Sequence, residues 1–119
     1  MIVLISDFNQ FDDPCFNYCK LLQKHNDLIS IFIYDQLEKD PPKPNIYAIS
    51  DGSAISRMDT HDANFAAAYS HRFKQLFDFI KTGFTRLKIP FLVLSTEDFV
   101  VQTLLRQINP EAFNNNFNL

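Results

Sequence analysis

Oxygen-bearing side chains close three of the apolar runs in this 119-residue sequence: Ser6-Asp7 after Ile2–Ile5, Asp35 after Leu28–Tyr34, and Ser95-Thr96-Glu97 at the end of Pro90–Ser95. Carboxylate and hydroxyl oxygens beyond the carboxyl ends of parallel strands suit a hard divalent cation, and ligand sites of open α/β sheets lie at those ends. Asp7, Asp12, Asp13 and Asp35 are the candidate ligands. The same residues have structural uses. Asp12 and Asp13 precede Pro14 as a helix cap does, and Asp35 can open a solvated loop. On the residues alone both uses stand.

Other chemistries lack their parts. Gly52, in Asp51-Gly52, and Gly83, in a helical stretch, do not build a phosphate-cradling loop, and no Gly-x-Ser-x-Gly elbow is present. Asp7 sits where a phosphoacceptor would, but no strand-end lysine or partner acidic pair clearly supports that use. His25, His61 and His71 fall near helix ends or on the polar side of a helix, where surface or capping roles suit them better than general-base duty. Cys15 and Cys19 lie four apart on one helical face, poorly placed for a disulfide and short of further thiolates for a metal. Core thiols in a reducing cytoplasm, and no enzyme activity, are the expectation.

The elements that would position these residues alternate in type. Ile2–Ile5 reads as a strand buried on both faces. Cys15, Tyr18, Cys19 and Leu22 mark a helix that frays at His25-Asn26-Asp27, and Leu28–Tyr34 is a second strand. Gln36–Pro44, charged and proline-rich, reads as a loop; Asn45–Ser50 and Ala54–Met58 flank Asp51-Gly52 as an inserted hairpin. Asp62 can cap a long helix whose Phe65, Tyr69, Phe73, Leu76, Phe77, Ile80 and Phe84 recur at spacings of three and four, a core-facing stripe. Pro90–Ser95 makes the third strand. Ser95 or Thr96 should then cap a last helix, with Glu97 and Asp98 in its first turn and Val100, Val101, Leu104, Leu105 and Ile108 on its buried side. The tail from Asn109 is asparagine-rich and expected to fray. Strands separated by helices imply right-handed crossovers and a parallel sheet.

Composition agrees with one α/β domain over residues 1–108. Hydrophobic residues make up 46% of the chain, thirteen phenylalanines supply bulk, and the formal net charge is −3. That balance, without a basic stripe, argues against nucleic acid and anionic membrane as partners. No apolar run approaches the roughly 20 residues of a membrane span. Met1–Asp7 has neither the basic start nor the cleavage site of a secretion signal.

Three places carry a family likeness. Leu4-Ile5-Ser6-Asp7-Phe8 is similar to the strand bearing the third metal-site motif of von Willebrand factor A-type domains. Asp35-x-x-Glu38-x-x-Pro41 resembles the signature of the bacterial domain-of-unknown-function family 58, and Leu94-Ser95-Thr96 with its acidic pair is similar to that family's closing strand. Tyr69 and the Asp51-Gly52 hairpin fall where the family places similar features; Gln36 departs from it, standing where proline is usual. The likeness spans about residues 2–108. It implies the C-terminal half of a Rossmann-like von Willebrand A domain, in two or three layers, with a MoxR-type AAA+ ATPase as partner. It also implies that Asp7 belongs to a metal-ion-dependent adhesion site, whose Asp-x-Ser-x-Ser loop is absent from this sequence.

A half domain has consequences. Three strands in sequential order contain no reversal and no crevice, so magnesium or another divalent cation would be held only in the complete domain. The first strand would expose an unpaired edge, an invitation to a second copy or to a missing half. A protein-interaction module is therefore expected, the alternative being a divalent-metal-dependent catalytic or regulatory domain built on the strand-end carboxylates.

Overall fold

The apolar runs Ile2–Ile5, Leu28–Tyr34 and Pro90–Ser95 form strands and, with two of the helices, turn one side toward a single aromatic core. The computed structural model describes residues 1–40, 46–50, 52, 55–59, 63–109 and 111. Its order is β1 (Ile2–Ser6), α1 (Asp13–Leu22), β2 (Leu28–Tyr34), α2 (Gln36–Lys39), β3 (Ile46–Ser50), β4 (Ile55–Asp59), α3 (Ala63–Arg86), β5 (Phe91–Ser95) and α4 (Val100–Ile108). The strands β1-β2-β5 form an open, all-parallel sheet, and β3 pairs with β4 as a separate antiparallel hairpin. Gly52 turns that hairpin at φ 92, a conformation side chains resist. This is an α/β fold compatible with half of a Rossmann-like domain.

Register divides the sheet into two unlike faces. Ile2 pairs with Leu28, Leu4 with Ser30, Phe32 with Val93 and Ser30 with Phe91, so these residues share one face. Helices α1 and α3 cover it. Phe32, Phe84 and Ile80 are fully buried there with Phe8, Cys19, Leu28 and Ile89, and Phe73, Phe77 and Phe91 surround the Phe32 ring at 5.5–6.1 Å. The expected α3 stripe is thus in the core from Phe73 to Phe84, whereas Phe65 and Tyr69 lie against each other outside the cluster. Burying one such side chain contributes about 1.5–3 kcal/mol. The α1 N-terminus forms as expected, the Asp12 carboxylate accepting the Cys15 N–H with Pro14 in the first turn.

The other face is aliphatic throughout: Val3, Ile5, Ile29, Ile31, Ile33, Leu92 and Leu94. None of them joins the aromatic cluster. Leu92 and Leu94 are buried on β5, the strand against which α4 packs.

Three expectations are corrected. β1 is not buried on both faces: Val3 is 42% and Ile5 60% exposed, because β1 is a sheet edge beyond the reach of α4. The segment after β2 is not a plain loop, since Asp35 accepts the Leu37 N–H and starts the helical turn α2, with Gln36 bonded to Asp40. Neither Ser95 nor Thr96 caps α4. Ser95 and Asp98 satisfy each other in a separate turn, and α4 begins at Val100 with Phe99 as N-cap and no side-chain capping bond. The acidic pair therefore lies outside its first turn, and Val100, Val101 and Ile108 are exposed instead of forming a buried side. Asp62 as a cap, Pro41 and His61 lie outside the described residues.

Candidate functional site

The sheet brings the strand-end residues to one rim. Asp7 follows β1, Asp35 follows β2, and Thr96 follows β5. Thr96 Oγ1 donates to Asp35 Oδ2 at 3.1 Å, tying the ends of β2 and β5 together. α2 packs on α3 and carries Glu38 toward the same rim. Partial burial pushes the Glu38 carboxyl above its ordinary value, and the charges of Asp7 and Asp35 push it the same way. The Tyr69 phenol is also raised, first by burial and then by Glu38 and Asp35. Glu38 therefore lies within the influence of Asp7 and Asp35, Tyr69 within that of Glu38 and Asp35, and Thr96 is tied to the group through Asp35.

The loop after β1 is held by its own side chains. Ser6 Oγ accepts the Phe8 N–H at 2.9 Å, and Asp7 Oδ1 accepts the Asn9 N–H at 3.1 Å. Phe8 stands at φ 54, an uncommon backbone for a bulky residue. Its ring, only 2% exposed and packed on Phe11, Phe32 and Phe84, offsets that strain. A hollow of about 470 Å³ opens here, lined by Ser6, Asp7, Phe8, Asn9, Gln10 and Phe11.

These bonds decide what the rim has to offer a cation. Asp35 spends Oδ1 on Leu37 and Oδ2 on Thr96, while one Asp7 oxygen is engaged with Asn9. Asp12 caps α1, and Ser95 is turned to Asp98 and Glu97. Among the described residues no group of three or more His, Cys, Asp or Glu is arranged to hold a metal ion.

The less expected feature is the contrast between the two sheet edges. On β1, Ile2 bonds through its N–H to the Asp27 carbonyl, so by strand alternation Leu4 and Ser6 also turn toward β2. Val3 and Ile5 therefore aim N–H and C=O outward, and no strand pairs with them among the described residues. On β5 the outward groups of Val93 and Ser95 are taken. Gln107 Oε1 accepts the Val93 N–H at 2.8 Å, and Gln107 Nε2 donates to the Val93 carbonyl at 2.7 Å. Asp98 likewise accepts the Ser95 N–H through its carboxylate and donates its own N–H to the Ser95 carbonyl. Sequence reasoning located the open β1 edge but missed this closure, because a side chain reaching a strand fourteen residues away leaves no periodic trace.

No family model, curated protein or solved structure matches this chain. Among the described residues no helix is long and apolar enough to cross a membrane.

Proposed function

We propose that this chain is a protein-interaction module, akin to half of a von Willebrand A-type sheet, and that it docks through the β1 edge and the aliphatic face beside it. One observation carries the reading: Val3 and Ile5 are exposed aliphatic residues whose outward backbone groups lack a strand partner among the described residues. An uncharged, unblunted edge is a template for another strand, and native sheets ordinarily obstruct such edges. The β5 edge of this sheet is obstructed in that way by Gln107 and Asp98. A MoxR-type AAA+ ATPase is the partner suggested by the family likeness.

The second reading, a divalent-cation domain, is favoured by the approach of Asp7, Asp35 and Glu38, whose mutual repulsion a cation would relieve. Calorimetric titration with magnesium, manganese and calcium separates the two. Millimolar or absent binding is expected; micromolar binding lost in Asp7→Asn would favour the cation reading.

The docking edge itself is tested with a labelled synthetic peptide of residues 1–9, followed by fluorescence anisotropy against the full chain. Saturable binding that Val3→Pro in the chain abolishes is expected, since proline removes an outward N–H without breaking the β1–β2 ladder. No binding at any soluble concentration overturns the reading.

A further inference from the structure

Among the described residues the β1 edge is open, whereas on the β5 edge Val93 and Ser95 are blocked, and that asymmetry restricts what an added strand can build. A chain with two open edges extends head to tail without end. A chain with one open edge can meet only its like, and the assembly closes at two copies about a two-fold axis.

Strand β1 is self-complementary for such a contact. Val3 and Ile5 carry the outward groups, so antiparallel pairing centred on Leu4 places Val3 of one copy opposite Ile5 of the other, twice. Each of these pairs exchanges two hydrogen bonds, which satisfies every outward N–H and C=O of Val3 and Ile5. No charged residue lies within Ile2–Ser6 to resist it.

Charge selects the antiparallel sense. The carboxyl end of the sheet carries exposed Asp7, Asp35, Glu38 and Glu97. The amino end carries Lys24 and His25 in the turn before β2 and Lys88 before β5, against Asp27. Antiparallel pairing sets each acidic end beside the partner's basic end. Parallel pairing would set the acidic ends together.

Helix α1 supplies a second contact in the same direction. Its Phe16 ring meets Phe79 and Phe84, and Gln23 Nε2 donates to the Leu87 carbonyl, so that side of α1 faces α3. At 100° per residue, Tyr18 falls on the opposite side, flanked by Leu22 and Leu21. They are 67%, 42% and 55% exposed.

We infer that the occupant of the β1 edge is β1 of a second copy, giving a six-stranded sheet with α1 against α1 across the two-fold axis, while Gln107 and Asp98 block Val93 and Ser95 on the outer edges. This rests on the docking reading above and adds the identity of the occupant. The dimer would keep the aliphatic faces of both copies on one side as a single continuous surface.

Light scattering and sedimentation on the full chain test it. Twice the chain mass at micromolar concentration is expected, with Ile5→Lys and Val3→Pro both monomeric and unchanged in far-ultraviolet circular dichroism. Gln107→Ala should form species larger than a dimer as concentration rises. A wild-type monomer, or a dimer untouched by both edge variants, overturns the inference; a Gln107→Ala protein that stops at the dimer removes Gln107 from it. A wild-type monomer that still binds the 1–9 peptide would fail the second-copy assignment and leave the docking edge standing. Failure of both experiments would remove the edge as well.

Discussion

The ring of Phe16 lies so close over Gly83 that a β-carbon built on the glycine would stand 2.1 Å from the ring tip. Helices α1 and α3 approach each other at this point because position 83 has no side chain. The ring cannot swing away freely, since Phe11, Phe79 and Phe84 pack around it. Gly83→Ala should therefore cost about 1–3 kcal/mol through overpacking, despite alanine's better helix propensity. Chemical denaturation checks this. An equally stable or more stable Gly83→Ala protein would contradict the packing described, and Phe16→Leu in the same chain should recover part of the loss.

Two acids give opposite pH slopes. The raised Glu38 carboxyl binds its proton more tightly in the folded state, so stability falls as pH rises from the ordinary value of 4.5 through the raised one. The Asp12 carboxylate is lowered, chiefly by its hydrogen bonds with Cys15. Its contribution is present above the ordinary 3.8 and is lost as pH falls through the lowered value. Thermal midpoints measured across the acid range should show Glu38→Gln flattening the first slope and Asp12→Ala the second. Profiles superimposable on wild type for both variants would refute these assignments.

The two thiols should differ in reactivity. Cys19 is buried in the core cluster, and burial, with Cys15 nearby, pushes its thiol up. Attack requires the thiolate, so Cys19 is protected twice. With Ellman's reagent at neutral pH, Cys15→Ser should react slowly until unfolded, whereas Cys19→Ser should react readily through the half-buried Cys15. Equal rates in the two variants would contradict the burial of Cys19.

The fold was legible where chemistry repeats with a period. Leu28–Tyr34 shows as a strand because both of its faces are apolar, and the α3 stripe shows because its phenylalanines return at helical spacing. Ser95 misled because a hydroxyl followed by acids has the form of a helix cap, yet here those groups bond to one another and close the edge of β5. The turn α2 was hidden by its proline-rich continuation, although Asp35 is an ordinary cap. At the rim, Asp7, Asp35 and Thr96 could be foreseen together because all end parallel strands. Glu38 and Tyr69 meet only through the packing of α2 on α3, which no local pattern encodes. Residue type marked β1 as apolar, but only the strand order reveals that half of that apolar surface is left outside.

Hydrogen exchange at single-residue resolution reads the docking edge most directly. The Leu4 N–H belongs to the β1–β2 ladder and serves as an internal control, whereas the Val3 and Ile5 N–H groups point away from it. With the edge occupied, by a second copy or by the 1–9 peptide, Val3 and Ile5 should exchange nearly as slowly as Leu4 and lose that protection on dilution. Fast exchange of Val3 and Ile5 at every concentration, with peptide present and Leu4 still protected, would contradict docking through β1.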